Sequence, residues 1–378
     1  VNQEGVTPTR KAGVEAAAAA RSLHDRLAKP QGALGRLEEL GIRLAHMAGV
    51  CPPPVPEPAM VAVFAADHGV VAEGVTPWPQ EVTAQMVAAF RRGGAAINVL
   101  ARHAGAEVLV VDVGVAGQLG RSSGVLDGKV RAGTANLAVE AAMTEDDARR
   151  ALDVGAEVAA GSVAEGARCL ITGDMGIGNT TSAAALVAGF TGRPPAVVTG
   201  RGTGIDNATW AHKVAVIERA LQRAGDETGP LGLLAEVGGL EIAALAGFVV
   251  GGAAAGVPVL LDGLIAGAAA LAAAALVPGV ERWCVAGHRS TEPGATAALD
   301  HLGLDPILDL GMRLGEGSGA VLALPLLQAA AKVLREMATL DSVTEGSRAG
   351  DQIPRATPTV PVPSPSQSPP RGTSPTSP

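Results

Sequence analysis

RCLITGDMGIGNTTSAAALVAGF, residues 168–190, passes from a short apolar run through a glycine-rich turn into an alanine-rich helical pattern. A strand, a tight turn and a helix in that order open a βα unit, and the turn then lies at the carboxyl edge of a parallel sheet. Free N–H groups at the helix start attract an anion, and glycines let it come close. The turn is nevertheless not a Walker loop. Gly173, Gly178 and Thr180 have the spacing, but Asn179 stands where the lysine that reaches a triphosphate belongs. Nor is it a dinucleotide fingerprint, because Thr181 holds the last glycine position. Gly176, Gly178, Asn179 and Thr180 are therefore candidates for holding one phosphate. The alternative is a strand–helix turn that needs glycine only for its own geometry.

The same alternation extends in both directions. AMVAVFAAD (59–67), EVLVVDVG (107–114), RCLITGD, AVVTG (196–200), PVLLDG (258–263), RWCVAGH (282–288) and PILDLG (306–311) read as strands between helical segments, an α/β fold with a parallel sheet. Asp67 and His68, Asp112, Asp174, Thr199, Asp262, and His288 with Arg289 and Ser290 all fall where these runs end, on the edge where open parallel sheets bind ligands. TEDD (144–147) supplies a helix start, with Thr144 as N-cap and Asp147 at the third position. A second glycine turn, TGRGTGID (199–206), offers Gly202 and Gly204, and either Arg201 or Lys213 supplies the positive charge that Asn179 cannot. Both cations also read as ordinary surface residues. A third turn, LGEGSGA (314–320), sets Glu316 between glycines just before a helix. A helix N-terminus keeps such a carboxylate ionised and an apolar pocket raises its pKa, a balance suited to a general base. A first-turn acid complementing a helix dipole is the plainer reading. The long loop 66–86 carries Trp78 and Gln85, placed to stack on and hydrogen-bond a flat substrate, or to anchor the loop. Asp67 and His68 resemble half a metal site without matching ligands, so no metal and no cofactor are expected.

Composition narrows the classes. Hydrophobic residues make up 47% and include many alanines, alongside 50 glycines, so the core is expected to form from closely approaching backbones. Aromatics at 2%, no tyrosine and a net charge of −8 disfavour nucleic-acid binding. Three isolated cysteines, Cys51, Cys169 and Cys284, suit a reducing cytoplasm. From Ile242 to Val277 the only charge is Asp262, but Pro258 and the Ala/Gly content divide the segment into a helix (about 240–255), a strand (257–261) and a helix (about 264–277), rather than a membrane span. KAGVEAAAAARSLHDRLA and ALGRLEELGIRLAHMA, broken at KPQG (29–32), read as two helices, and CPPPVPEP (51–58) as a stiff linker. Residues 351–378 hold nine prolines, and disorder is expected across 346–378.

Taken in order, KPQGALGRLEEL (29–40), FAADHGVVAEGVTPWPQEVTAQMV (64–87), GGAAINVLAR (93–102), GDMGIGNTTSAAAL (173–186), TGRGTGID, EVGGLEIAALAGF (236–248), VLLDGLIAGAAAL (259–271), GHRSTEPG (287–294) and LGEGSGA resemble the nicotinate-nucleotide–dimethylbenzimidazole phosphoribosyltransferase family of cobalamin lower-ligand assembly. The resemblance covers about residues 10–340. It implies transfer of the phosphoribosyl group of nicotinate mononucleotide to 5,6-dimethylbenzimidazole, with Glu316 as the base. It also implies a large Rossmann-like domain (58–317), a small helical domain from both chain ends (8–50 plus 318–342), and a homodimer. Trp78 takes the place of the aromatic expected beside the benzimidazole, with Gln85, Asp262 and Ser290 as further candidates around base and ribose. Many relatives carry glutamate where this chain has Asp174, which is given a supporting role. A nucleotide hydrolase is opposed by the missing lysine. An enzyme using phosphoribosyl pyrophosphate wants paired acids after a strand, where VLVVDVG offers only Asp112. A nucleotide-binding regulator without turnover is the non-enzymatic alternative.

Overall fold

The computed structural model describes residues 10–117, 119, 124–225 and 228–343. The proline-rich segment expected to be disordered lies outside them. Six strands form one sheet: β1 (Ala59–Ala66), β2 (Ala106–Gly114), β3 (Leu126–Asp127), β4 (Cys169–Met175), β5 (Val259–Leu261) and β6 (Cys284–Ala286), in the order β3-β2-β1-β4-β5-β6. Every pairing among them is parallel. This is the doubly wound order, and the chain reverses direction across the sheet between β1 and β4. A crevice opens at that point outside the strands' carboxyl ends.

Helices cover both faces. Helices α1 (Arg10–Arg26) and α2 (Arg36–Ala48) precede the sheet; α3 (Val82–Arg91) and α4 (Ala96–Ala104) join β1 to β2; α5 (Glu145–Ala164) leads into β4. Five more lie between β4 and β5: α6 (Asn179–Thr191), α7 (Pro195–Val198), α8 (Asn207–Ala224), α9 (Pro230–Val237) and α10 (Leu240–Ala254). Then come α11 (Leu264–Leu276), α12 (Pro293–Leu302) and α13 (Ser318–Glu336). The period-2 alternation of β1 splits the core. Ala62, Phe64 and Ala66 join the cluster built on α5, α6 and α9–α12, while Val61, Val63 and Ala65 join the one built on α2, α4 and α13. Phe64 meets Phe248 edge to face, with ring centroids 5.4 Å apart. From the chain ends, Ala16, Ala20, Ala45 and Leu334 form a cluster of their own.

The expected close backbones occur where α5 crosses α10. A Cβ on Gly155 would lie 1.7 Å from the Ala244 carbonyl oxygen, and one on Gly247 would lie 1.9 Å from that of Leu152. Thr144 caps α5 as expected: its hydroxyl accepts the Asp147 N–H at 3.0 Å, and the Asp147 carboxylate accepts the Thr144 N–H at 3.2 Å. The segment 242–277 divides as read, into helices of 15 and 13 residues around β5, each shorter than the roughly 20 residues a bilayer span requires.

Two runs read as strands are not strands. AVVTG lies in and just after the short helix α7, because Pro195 fits the first helical turn, where no N–H is needed. PILDLG lies beside the end of β6 without forming a named strand: Ile307 and Leu308 N–H donate to Ala286 and Gly287 O, Arg289 N–H donates to Leu308 O, and one parallel bridge joins Leu308 to His288, while Pro306 has no N–H to lengthen the pairing. Conversely, the two-residue edge strand β3 has no apolar run to announce it.

Candidate functional site

The site is built at the β1/β4 crevice. Gly178, with φ 92°, caps α6, so the glycine turn after β4 delivers the helix N-terminus to the sheet edge. The second glycine turn packs against the first: a Cβ on Gly202 would lie 3.1 Å from Thr180 Oγ1. Between them is a cavity of about 50 Å³, lined by Gly176, Gly178, Thr180, Gly202 and Lys213 among others. Lys213 is buried on α8 and its Nζ donates to Thr180 Oγ1 at 2.8 Å. Burial pushes the Lys213 ammonium pKa down to about 8, against the opposing charge of Glu292. A small cavity beside a helix N-terminus, with a buried lysine and a hydroxyl in its wall, suits a single phosphate.

The third turn lies across the end of β4. Gly315, Glu316 and Gly317 have φ of 85°, 65° and 91°, and Glu316 is the one positive-φ residue other than glycine among the described residues. For a side-chain-bearing residue that conformation costs about 1–2 kcal/mol. The turn is held on several sides. Asp262 Oδ1 accepts the N–H groups of Gly319 (2.8 Å) and Ala320 (2.9 Å), and its Oδ2 that of Gly317 (3.2 Å). A Cβ on Gly173 would lie 2.7 Å from the Glu316 carbonyl oxygen, and one on Gly315 would lie 3.2 Å from Asp174 Oδ2, so the turn rests directly on β4.

Glu316 itself is buried, and its Oε2 accepts the Ile97 N–H at 3.2 Å. The helix N-terminus that holds this carboxylate is thus that of α4, not the one Glu316 precedes. Burial raises the Glu316 pKa; the Ile97 hydrogen bond opposes this and the nearby Asp262 adds to it. Asp174 is pushed well above the usual carboxylate range, first by burial and then by the charges of Asp262 and Glu241, while a hydrogen bond from Asn179 opposes the shift. The crevice therefore holds a strained carboxylate of raised pKa, a second carboxyl of higher proton affinity and a phosphate-sized cavity. Asn179 connects them, because it lines the cavity and donates to Asp174 Oδ2 at 3.0 Å.

A phosphoribosyltransferase family model, DBI_PRT, matches residues 10–344. The chain is 57% identical over 343 residues to a nicotinate-nucleotide–dimethylbenzimidazole phosphoribosyltransferase from Salinispora tropica, covering 87% of this chain and 94% of that protein. The chain belongs to this phosphoribosyltransferase family. It is also 56% identical to the protein of the same name from Chloroflexus aggregans, over 86% of this chain and 92% of that one. Among solved structures it resembles CobT from Thermus thermophilus, with a TM-score of 0.85 and 52% identity, covering 87% of this chain and 98% of that one.

Around this crevice, the residues singled out from sequence fall into different places. Gly176, Gly178, Thr180, Gly202 and Lys213 gather around one cavity, with Asn179 and Arg201 at its wall. The guanidinium of Arg201, however, donates to Ile205 O (2.9 Å) and to the Asn207 side chain, and Gly204 N–H closes its own turn on Arg201 O. Asp262 spends both carboxylate oxygens on the backbone of the Glu316 turn, a positioning task where a substrate contact was expected. Buried Ser290 accepts the Glu292 N–H at 3.4 Å. Trp78 is 49% exposed on a loop whose Val75 and Thr76 line the cavity, while Gln85, read as part of that loop, is exposed on helix α3, which begins at Val82. Asp67 and His68 diverge: Asp67 Oδ2 accepts the Ala116 N–H at 2.7 Å, while buried His68 lies between Glu241 Oε1 (2.7 Å) and Ser182 Oγ (3.1 Å).

Sequence reading missed Glu292, whose Oε1 accepts the Gly202 N–H at 2.8 Å, and the Arg313 guanidinium, which donates to Gly202 O. Glu292 sits inside GHRSTEPG, and its place in that motif was the available signal.

Proposed function

We propose that this chain transfers the phosphoribosyl group of nicotinate mononucleotide to 5,6-dimethylbenzimidazole, giving α-ribazole 5′-phosphate and nicotinate. The observation that carries the chemistry is Glu316, held strained and buried across β4 with its pKa raised. The nucleotide's 5′-phosphate occupies the cavity between the two glycine turns, against Lys213, Thr180 and the α6 N-terminus. The carboxylate of Glu316 takes the proton from one imidazole nitrogen of the acceptor, and the other nitrogen attacks C1′ of the ribose. The C1′–pyridinium bond breaks, its electron pair returns to the ring nitrogen, and nicotinate leaves with a neutral ring. Attack from the face opposite the leaving group inverts C1′ from β to α. No acid is needed at the leaving group, and no triphosphate has to be held, so Asn179 serves where a nucleotide hydrolase has lysine. Asp174, whose pKa burial and its carboxylate neighbours push well above the usual carboxylate range, stands beside the reacting centre in a supporting role.

Trp78 closes over the acceptor when the loop that borders the cavity folds in, towards Gln85 on the first turn of α3. The same reading makes the protein a cytoplasmic homodimer. Leu310 and Leu314, exposed beside the Glu316 turn, supply apolar surface of the kind such an interface uses. It also groups residues 8–50 and 318–342 as a small helical domain, supported by the shared cluster of α1, α2 and α13.

Purified protein mixed with both substrates in excess chelator, with products separated chromatographically, tests the function; Glu316→Gln run alongside tests the base. α-Ribazole phosphate from the parent, with the rate lost in the variant, supports both. Nucleotide binding without product from a folded parent turns the assignment to a regulator.

A further inference from the structure

Glu292 has no part in the reaction as written, yet it is one of the most constrained side chains at the site. It is 5% exposed, and a Cβ on Gly200 would lie 2.0 Å from its Oε2, so only glycine at 200 leaves room for the carboxylate. Its Oε1 holds the Gly202 N–H while Arg313 holds the Gly202 carbonyl, so the cavity's second glycine turn is gripped on both sides of one residue. Its Oε2 is buried without a hydrogen-bond partner. A buried carboxylate oxygen without a hydrogen bond is costly unless a nearby charge compensates it. Lys213, in the wall of the adjoining cavity, is the cation that feels it.

We infer that Glu292 is a positioning residue for the nucleotide's phosphate: it fixes the Gly202 turn against Thr180 and keeps Lys213 charged in a buried setting. This rests on the reading of the cavity as the phosphate site. The charged groups around Lys213 are few. Glu292 approaches from the segment ahead of α12. Arg201, from the second turn, is directed to Ile205 and Asn207, and Arg313, from the segment before the Glu316 turn, to the Gly202 carbonyl. Glu73, beside α8, is taken up by Asn136 and Arg219. Without Glu292, burial of Lys213 is opposed by no carboxylate, and the ammonium loses its proton at lower pH. The effect on binding is therefore confined to the alkaline side.

The test is the dissociation constant of nicotinate mononucleotide, measured by calorimetry without acceptor between pH 7 and 9. In the parent, affinity weakens as pH rises past about 8, where Lys213 gives up its proton. In Glu292→Gln, whose amide oxygen still accepts the Gly202 N–H, that weakening begins about one pH unit lower. The variant then matches the parent within about twofold at pH 7 and binds about tenfold more weakly at pH 9. Glu292→Asp keeps the charge but not the reach. It leaves the alkaline break where it was and weakens binding about fivefold at every pH, the worth of one hydrogen bond. A Glu292→Gln profile that superimposes on the parent's overturns the inference, as does a parent with no alkaline break. Lys213→Met separates the two levels: if it leaves binding unchanged at pH 7, the phosphate site itself is misplaced, and if it weakens binding while Glu292→Gln does not, only the role of Glu292 falls.

Discussion

Glycine serves two opposite purposes in this molecule, at the α5–α10 crossing and at the Glu316 turn. At the crossing, Gly155 and Gly247 sit inside helices, where glycine costs about 1 kcal/mol against alanine, and they are there because carbonyl oxygens of the facing helix occupy the space of a Cβ. At the turn, Gly315 and Gly317 take positive φ, a conformation that glycine adopts freely, and they flank a residue that does not. The first pair gives up helix propensity for packing. The second lets the chain hold Glu316 in a conformation that costs stability and aims a carboxylate. Substitutions in the two regions should therefore separate stability from turnover.

The largest effect belongs to the turn. Glu316→Gln keeps the volume and the Ile97 contact but cannot take a proton, and kcat should fall by about 10²–10⁴-fold with thermal stability unchanged. Glu316→Gly sharpens the contrast, because it should be equally inactive while the relieved left-handed strain, about 1–2 kcal/mol, offsets the lost Ile97 hydrogen bond, leaving stability within about 1 kcal/mol in a denaturant titration. At the crossing the outcome reverses. Gly247→Ala must push α10 away from Leu152 and should cost about 3 kcal/mol, while kcat of the folded protein stays within about twofold. Loss of kcat with unchanged stability at Gly247 would erase the distinction.

How far these roles were legible before the structure depends on the range of the contacts. The strand, turn and helix of 168–190, the Thr144 cap and the division of 242–277 are local patterns, and local patterns read correctly. AVVTG and PILDLG misled because short apolar runs outweighed Pro195 and Pro306, each of which marked a departure from a strand. The task of Asp262 was hidden, since its partners at Gly317, Gly319 and Ala320 lie more than fifty residues further along the chain. The depth of Lys213 was hidden likewise, because α8 is buried there by packing on α6. The candidate phosphate residues were legible as a set through their glycine spacing, but which of them lends charge was not.

The pH dependence of turnover sharpens the comparison further, because the Glu316 turn carries the proposed base and the crossing carries no group of the proposed reaction. Burial raises the Glu316 pKa, and the base works only when ionised. At saturating substrates kcat should be flat at high pH and fall about tenfold per unit once pH drops below that raised pKa, above the usual glutamate value near 4.3. In Gly247→Ala the same limb should persist at the same pH. An acid limb at or below the usual glutamate range would remove Glu316 from the role of base.

The smallest effect is expected at Trp78, outside both regions compared. Half-exposed on the loop whose Val75 and Thr76 line the cavity, it has little packing to lose, so Trp78→Ala should leave stability within about 0.5 kcal/mol. If the loop closes over the acceptor, the variant forfeits one stacking contact, on the order of 1 kcal/mol, and KM for 5,6-dimethylbenzimidazole should rise about fivefold. KM for nicotinate mononucleotide should not move, because its phosphate is held by α6, α8 and the glycine turns. A change in the nucleotide's KM instead would mean that the loop shapes the phosphate cavity, extending the precision of the Glu316 turn to a segment that holds no glycine strain of its own.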